Sequence, residues 1–168
     1  MDIEGIYGEL LACVRNANPN VSGILFDLPH AAPGDKRHIE QADLGPRCEF
    51  VAGDFFEYVP IVGDAYLLKS VIHDWDYKNS GRILLNCQAA MVKEGSLLLL
   101  EQMLPDRMET SASNRSIARI DLTMLVTLAA RERTESEFRS LPHTAGFRIG
   151  KIVPVGPTYS LIQALPLP

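Results

Sequence analysis

The sequence predicts an α/β domain built on a mostly parallel, doubly wound sheet that closes with an antiparallel hairpin. Three observations carry this. Short apolar runs that end on polar residues alternate with segments of helical periodicity through most of the chain, an order that lays parallel strands beside crossover helices. One of these runs, DAYLLKSV at 64–71, is apolar on both faces, as a strand covered by helices on either side must be. The last two runs, RIGKIVPVG and TYSLIQALP, are joined by so short a Gly156-Pro157 connection that no crossover helix fits, which leaves an antiparallel pair.

Each element follows from its own residues. ELLACVRNA (9–17) puts apolar side chains on one helical face before Asn18-Pro19-Asn20 stops it. VSGILFD (21–27) and CEFVAGD (48–54) read as two strands, with a polar connection and a weak helix over 31–45 between them. After the third strand, NSGRILLNCQAAM (79–91) starts at an Asn or Ser cap and carries Ile83, Leu84, Cys87 and Met91 at helical spacing. SLLLLEQ (96–102) is a fourth buried strand, and a loop at 105–113 leads to a long helix over about 114–130. TESEFRSLPHTAGF (134–147) opens on a Thr-x-x-Glu capping box, and Pro142 is expected to kink or stop its helix.

Composition narrows the function classes. With 168 residues and 46% apolar content, the chain supports one packed core, and a single domain over 1–168 is expected. A net charge of −5 without a basic block argues against nucleic acid as a partner. No segment approaches the apolar length of a membrane span and no signal-like N-terminus is present, so a cytoplasmic protein is expected. Cys13, Cys48 and Cys87 are widely spaced, form no zinc pattern and read as reduced core thiols.

The polar residues that follow the apolar runs point to a site. Ligands of open parallel sheets bind beyond the carboxyl ends of the strands. Asp27, Asp54, His73 and Glu101 each follow or close a strand, so all four belong at one edge of the sheet. Asp27 and Asp54 are equally at home as turn formers, although Phe55-Phe56 after Asp54 suits the wall of a flat heterocycle. A carboxylate on one nitrogen of His73 would fix its tautomer and raise its basicity, as a general base requires. A metal site from His73, Asp74 and Asp76 is disfavoured, because neighbours on a strand point to opposite faces. His30, His38 and His143 suggest no cluster, and no Gly-x-Ser-x-Gly elbow or dinucleotide-binding glycine pattern occurs. The long helix around Asp121, Met124 and Leu125 is a candidate pocket wall, although such Met and Leu spacing more often serves plain core.

Five co-linear stretches, FDLPH (26–30), GDFF (53–56), DAYLLKSVIHDWD (64–76), LLLLEQMLP (97–105) and RERTESEF (131–138), resemble the catalytic domain of S-adenosylmethionine-dependent O-methyltransferases of the caffeate and acetylserotonin type. The resemblance implies a Rossmann-like methyltransferase fold and methyl transfer from S-adenosyl-L-methionine to an aromatic hydroxyl. It further implies His73 as general base with Glu101 and Glu132 orienting its ring. For the cofactor it implies Asp2, Gly5 and Gly8 in the glycine loop, Asp27 on the ribose, Asp54 and Phe55 at adenine, and Lys69 from the next strand. The family's loop reads Asp-x-Gly-Gly-Gly-x-Gly, whereas Asp2-Ile3-Glu4-Gly5-Ile6-Tyr7-Gly8 has lost two of its glycines. Glu4 and Ile6 therefore weaken the expected cofactor binding. Only Met1 precedes Asp2, so the central first strand is expected to be largely missing, which opens a sheet edge to a second copy or a partner chain. The family's N-terminal helical dimerisation domain has no counterpart in 1–168. A cofactor-independent acid–base enzyme and a noncatalytic interaction module are the alternatives.

Overall fold

The computed structural model describes residues 1–34, 47–61 and 63–168. Eight strands form one sheet: β1 (Asp2–Ile3), β2 (Gly23–Asp27), β3 (Cys48–Ala52), β4 (Ala65–Lys69), β5 (Ser96–Leu104), β6 (Arg133–Thr134), β7 (Phe147–Val155) and β8 (Tyr159–Pro166). The order across the sheet is β3-β2-β1-β4-β5-β8-β7, with β6 paired to the end of β5. β1 to β5 run parallel, and β8 is antiparallel to both β5 and β7. Four helices are described: α1 (Glu9–Ala17), α2 (Tyr77–Ala90), α3 (Ala112–Leu128) and α4 (Glu135–Thr144).

β1 is as short as the sequence implies, yet it closes the centre of the sheet. Asp2 and Ile3 pair with Leu25 and Phe26 on one side and with Leu67 and Leu68 on the other. The ladder extends one residue at each end: the Met1 amino group donates to Ala65 O at 2.7 Å, Leu67 N donates to Met1 O at 2.8 Å, and Glu4 N donates to Phe26 O at 2.9 Å. The expected open gap between β2 and β4 is therefore bridged, because two parallel neighbours hold four residues in place.

The helices lie on both faces. α2 and α4 cover one, where Ile83, Leu84, Cys87 and Phe138 pack with Phe26, Leu68, Leu97 and Leu99 of the strands. Each such side chain contributes about 1.5 to 3 kcal/mol by its burial. α1 covers the other face, with Leu11 and Ala12 against Leu25 and Cys48. Cys13 lies on the outer side of α1 and is exposed, so only Cys48 and Cys87 are core thiols.

Helix ends explain two further differences. The cap of α2 is Asp76, whose Oδ1 accepts from Asn79 N at 2.7 Å; Asn79 and Ser80 both lie inside the helix, and Ser80 is buried. α4 has the expected reciprocal box between Thr134 and Glu137. It continues through Pro142 to Thr144, because a proline this near the end removes few helical bonds, and Gly146 at φ 83 then turns the chain. α3 begins at the Ser111 cap, buries none of its residues fully and exposes Leu122, Leu125, Val126 and Leu128. The core role considered for Leu125 is excluded by its 60% exposure. His38 and most of the 31–45 connection lie outside the described residues.

Candidate active site

The strand order reverses between β1 and β4, and a crevice opens beyond their carboxyl ends. The Glu4–Gly8 loop leaves β1 there. Its two retained glycines are required by geometry. A Cβ on Gly5 would meet Asp2 Oδ2 at 2.4 Å, and Gly8 has φ +72. Asp2 is 0% exposed and neither carboxylate oxygen receives a well-formed hydrogen bond. Burial pushes its pKa up to about 6, an effect that the Met1 ammonium, the Leu11 amide and Lys69 only partly offset.

Two cavities adjoin this loop. One, of about 190 Å³, is lined by Asp2, Glu4, Gly5, Tyr7, Glu9, Leu10 and Lys69. The other, of about 390 Å³, is lined by Glu4, Tyr7, Asp27, Leu28, His30, Ala31 and Gly34. Asp27 ends β2 with Oδ1 accepting from Leu28 N at 2.7 Å, and burial raises its pKa. An orphaned buried carboxyl, a glycine cradle and adjoining cavities fit a small polar cofactor.

His73 stands in a short 3-10 turn, Ile72–Asp74, after β4. Its Nδ1 lies 2.8 Å from Glu132 Oε1, and its Nε2 lies 3.3 Å from Asp74 Oδ1. Glu132 is placed by its own N–H, which donates to Asp121 Oδ1 at 2.9 Å. Glu101 does not bond the ring. Its Oε1 accepts from Val71 N at 3.2 Å and Ile72 N at 2.9 Å, so it holds the turn that carries His73. Burial alone would lower the His73 pKa, but the Glu132 hydrogen bond and the charges of Glu101, Glu132 and Asp74 outweigh it and raise it to about 9. Burial pushes Glu101 up to about 7 despite His73 and the two amides.

Asp54 closes a local turn, its Oδ1 accepting from Phe56 N at 2.8 Å. Phe55 is buried against Phe56, and both rings pack on Trp75 at centroid distances of 6.1 and 4.6 Å. Lys69 ends β4 and lines the smaller cavity, 6.0 Å from the Tyr159 ring centre. The sheet edge thus assembles Asp2, Gly5, Gly8, Asp27 and Lys69 around the loop, and His73, Glu101 and Glu132 around the turn.

Arg133 was not legible as part of the site. It is 0% exposed, and its guanidinium donates to Ile72 O at 2.6 Å, Trp75 O at 2.7 Å and Ser80 Oγ at 3.1 Å. It clamps both ends of the His73 turn from β6. The only sequence signal is a basic residue directly before a capping box, a position usually solvated.

Residues 1–148 match the family model described as an O-methyltransferase domain. The chain belongs to that family. This O-methyltransferase domain is 40% identical over 167 residues to a phenazine O-methyltransferase of Lysobacter antibioticus, covering 99% of this chain and 48% of that protein. It is 42% identical over 169 residues to an O-demethylpuromycin O-methyltransferase of Streptomyces alboniger, covering 99% of this chain and 45% of the relative. The domain spans about half the length of these curated relatives. The crystal structure of NcsB1, an O-methyltransferase from neocarzinostatin biosynthesis in complex with S-adenosylmethionine and 2-hydroxy-5-methyl naphthoic acid, is similar with a TM-score of 0.88 and 28% identity, over 99% of this chain and 48% of that one. Membership implies S-adenosylmethionine as the family's cofactor and small aromatic molecules as its acceptors. Among the described residues, no helix of the O-methyltransferase domain is long and apolar enough to cross a membrane.

Proposed function

We propose that the chain is the catalytic portion of an O-methyltransferase that methylates an aromatic hydroxyl, with His73 as general base. The observation that carries this is the His73–Glu132 pair at 2.8 Å, set on the same sheet edge as the glycine loop. S-adenosyl-L-methionine, when bound, supplies an electrophilic methyl group. Asp2, Gly5, Gly8, Asp27 and Lys69 would hold it, with Asp54 and the Phe55–Phe56–Trp75 cluster supporting the adenine side.

The residues of this chain perform the rest. Glu132 fixes the ring by Nδ1, which leaves Nε2 to take the acceptor proton. A phenol of pKa about 10 is largely protonated at neutral pH. His73 takes this proton in its neutral form, and because its pKa is raised to about 9 that form gains population as pH rises towards 9. Glu101 and Arg133 keep the turn from reorienting the base, and Asp74 lies beside Nε2. The cofactor-independent acid–base reading is not favoured, since the relatives named above are methyltransferases.

Calorimetry with S-adenosyl-L-methionine, followed by transfer of a labelled methyl to hydroxylated polycyclic aromatics, tests the proposal. Binding with label on the acceptor oxygen is expected. A folded protein that shows neither binding nor transfer rules the proposal out for this chain.

A further inference from the structure

We propose that Glu4 selects the cofactor by charge, acting as counter-ion to a sulfonium and giving no such stabilisation to the neutral thioether left after transfer. This rests on the cofactor reading above. The register places Glu4 one residue beyond Ile3, which pairs with Phe26 and Leu68; Glu4 is therefore level with Asp27 and Lys69 on the flanking strands. Its backbone keeps a left-handed φ of 56, suited to glycine, and is pinned by its N–H to Phe26 O. Strain of this kind in a residue with a Cβ persists where the surroundings over-determine it, and it concentrates at functional sites.

The side chain occupies a decisive position. Glu4 and Tyr7 line both cavities, so they form the partition between the Asp2–Lys69 end and the Asp27 end. Glu4 Oε2 is buried and has no hydrogen-bond partner. Burial first, then the charges of Asp27 and Asp74, push its pKa up to about 7, and His73 pulls the other way. Asp2, fully buried and without a well-formed hydrogen bond on either oxygen, lines the smaller cavity. The partition therefore presents buried carboxylate oxygens that lack hydrogen-bond donors, which a cation relieves and a neutral sulfur does not. S-adenosyl-L-methionine and S-adenosyl-L-homocysteine share the amino-acid tail and the nucleoside, so the sulfonium charge is the difference that Glu4 reads.

Calorimetry with S-adenosyl-L-methionine, S-adenosyl-L-homocysteine and sinefungin, a donor analogue with an amine in place of the sulfonium, tests this on the wild type, Glu4→Gln and Glu4→Gly at pH 8. The wild type is expected to bind both cationic ligands at least about tenfold more tightly than the thioether. Both variants should lose most of that preference while holding the thioether as well as before. Gln preserves size and Gly relaxes the left-handed turn, so folding is retained in at least one, as circular dichroism would verify. A preference unchanged within about twofold in both variants overturns the charge role, as does equal tightening of all three ligands in Glu4→Gly, which marks a steric plug. No binding of any ligand by any folded form overturns the cofactor reading and the Glu4 role together.

Discussion

Replacing Glu132 by Gln should lower the pKa of His73 by about 2, to near 7. The imidazole titrates at about 9 against an ordinary 6.5, a preference of about 3 kcal/mol for the charged ring. A carboxylate in direct contact typically raises a neighbouring basic group by about 1 to 3 pKa units. Glu132 Oε1 is at hydrogen-bond distance, whereas Asp74 is 3.3 Å away and partly exposed, and Glu101 acts on the ring without a hydrogen bond. Glu132 is therefore the largest single contributor to the rise. The neutral amide still accepts from Nδ1, so the turn stays in place. Titration of the His73 ring resonances by NMR in wild type and Glu132→Gln measures the change directly. A His73 pKa that moved by less than about 0.5 would refute the assignment of the rise to this pair.

Stability of the ligand-free protein should fall steadily as pH rises from about 4 to 9. Asp2, Glu4 and Glu101 have folded-state pKa values raised to about 6, 7 and 7, and His73 to about 9. Each retains in the folded state a proton that the unfolded chain has already lost, so each contribution is complete below the ordinary value and is lost through the raised one. Thermal melts at pH 5, 7 and 9 test this, and a melting temperature highest at pH 9 would contradict it. Arg133→Met should destabilise by about 3 to 5 kcal/mol, because two buried carbonyls and Ser80 lose their donor; urea unfolding measures it, and a loss under about 1 kcal/mol would remove the clamp. Thr134→Ala should cost about 1 kcal/mol by breaking the capping box at α4, readable in the same assay, and an unchanged midpoint would refute it.

The parallel order and the sheet edge were legible because they depend on local periodicity. Runs such as VSGILFD and SLLLLEQ state their own strand, and the residues that end them must share one edge. The position of His73 at that edge is legible in the same way. That of Arg133 is not, because its role is set by carbonyls more than fifty residues away. In the Asp74-Trp75-Asp76 run, pattern does not reveal which carboxylate caps α2 and which lies beside the base. The apolar stripe of α3 was legible, but periodicity reports that a face is apolar and not what covers it. The adequacy of a two-residue β1 depended on partners from two distant segments, which no local reading of Asp2-Ile3 contains.

Single-turnover transfer of a labelled methyl to a hydroxylated aromatic, compared between wild type and His73→Ala with cofactor saturating, bears most directly on the role of the base. A rate reduced by about a hundredfold or more, with S-adenosyl-L-methionine affinity unchanged, is the expected result. Equal rates in the two proteins would contradict it.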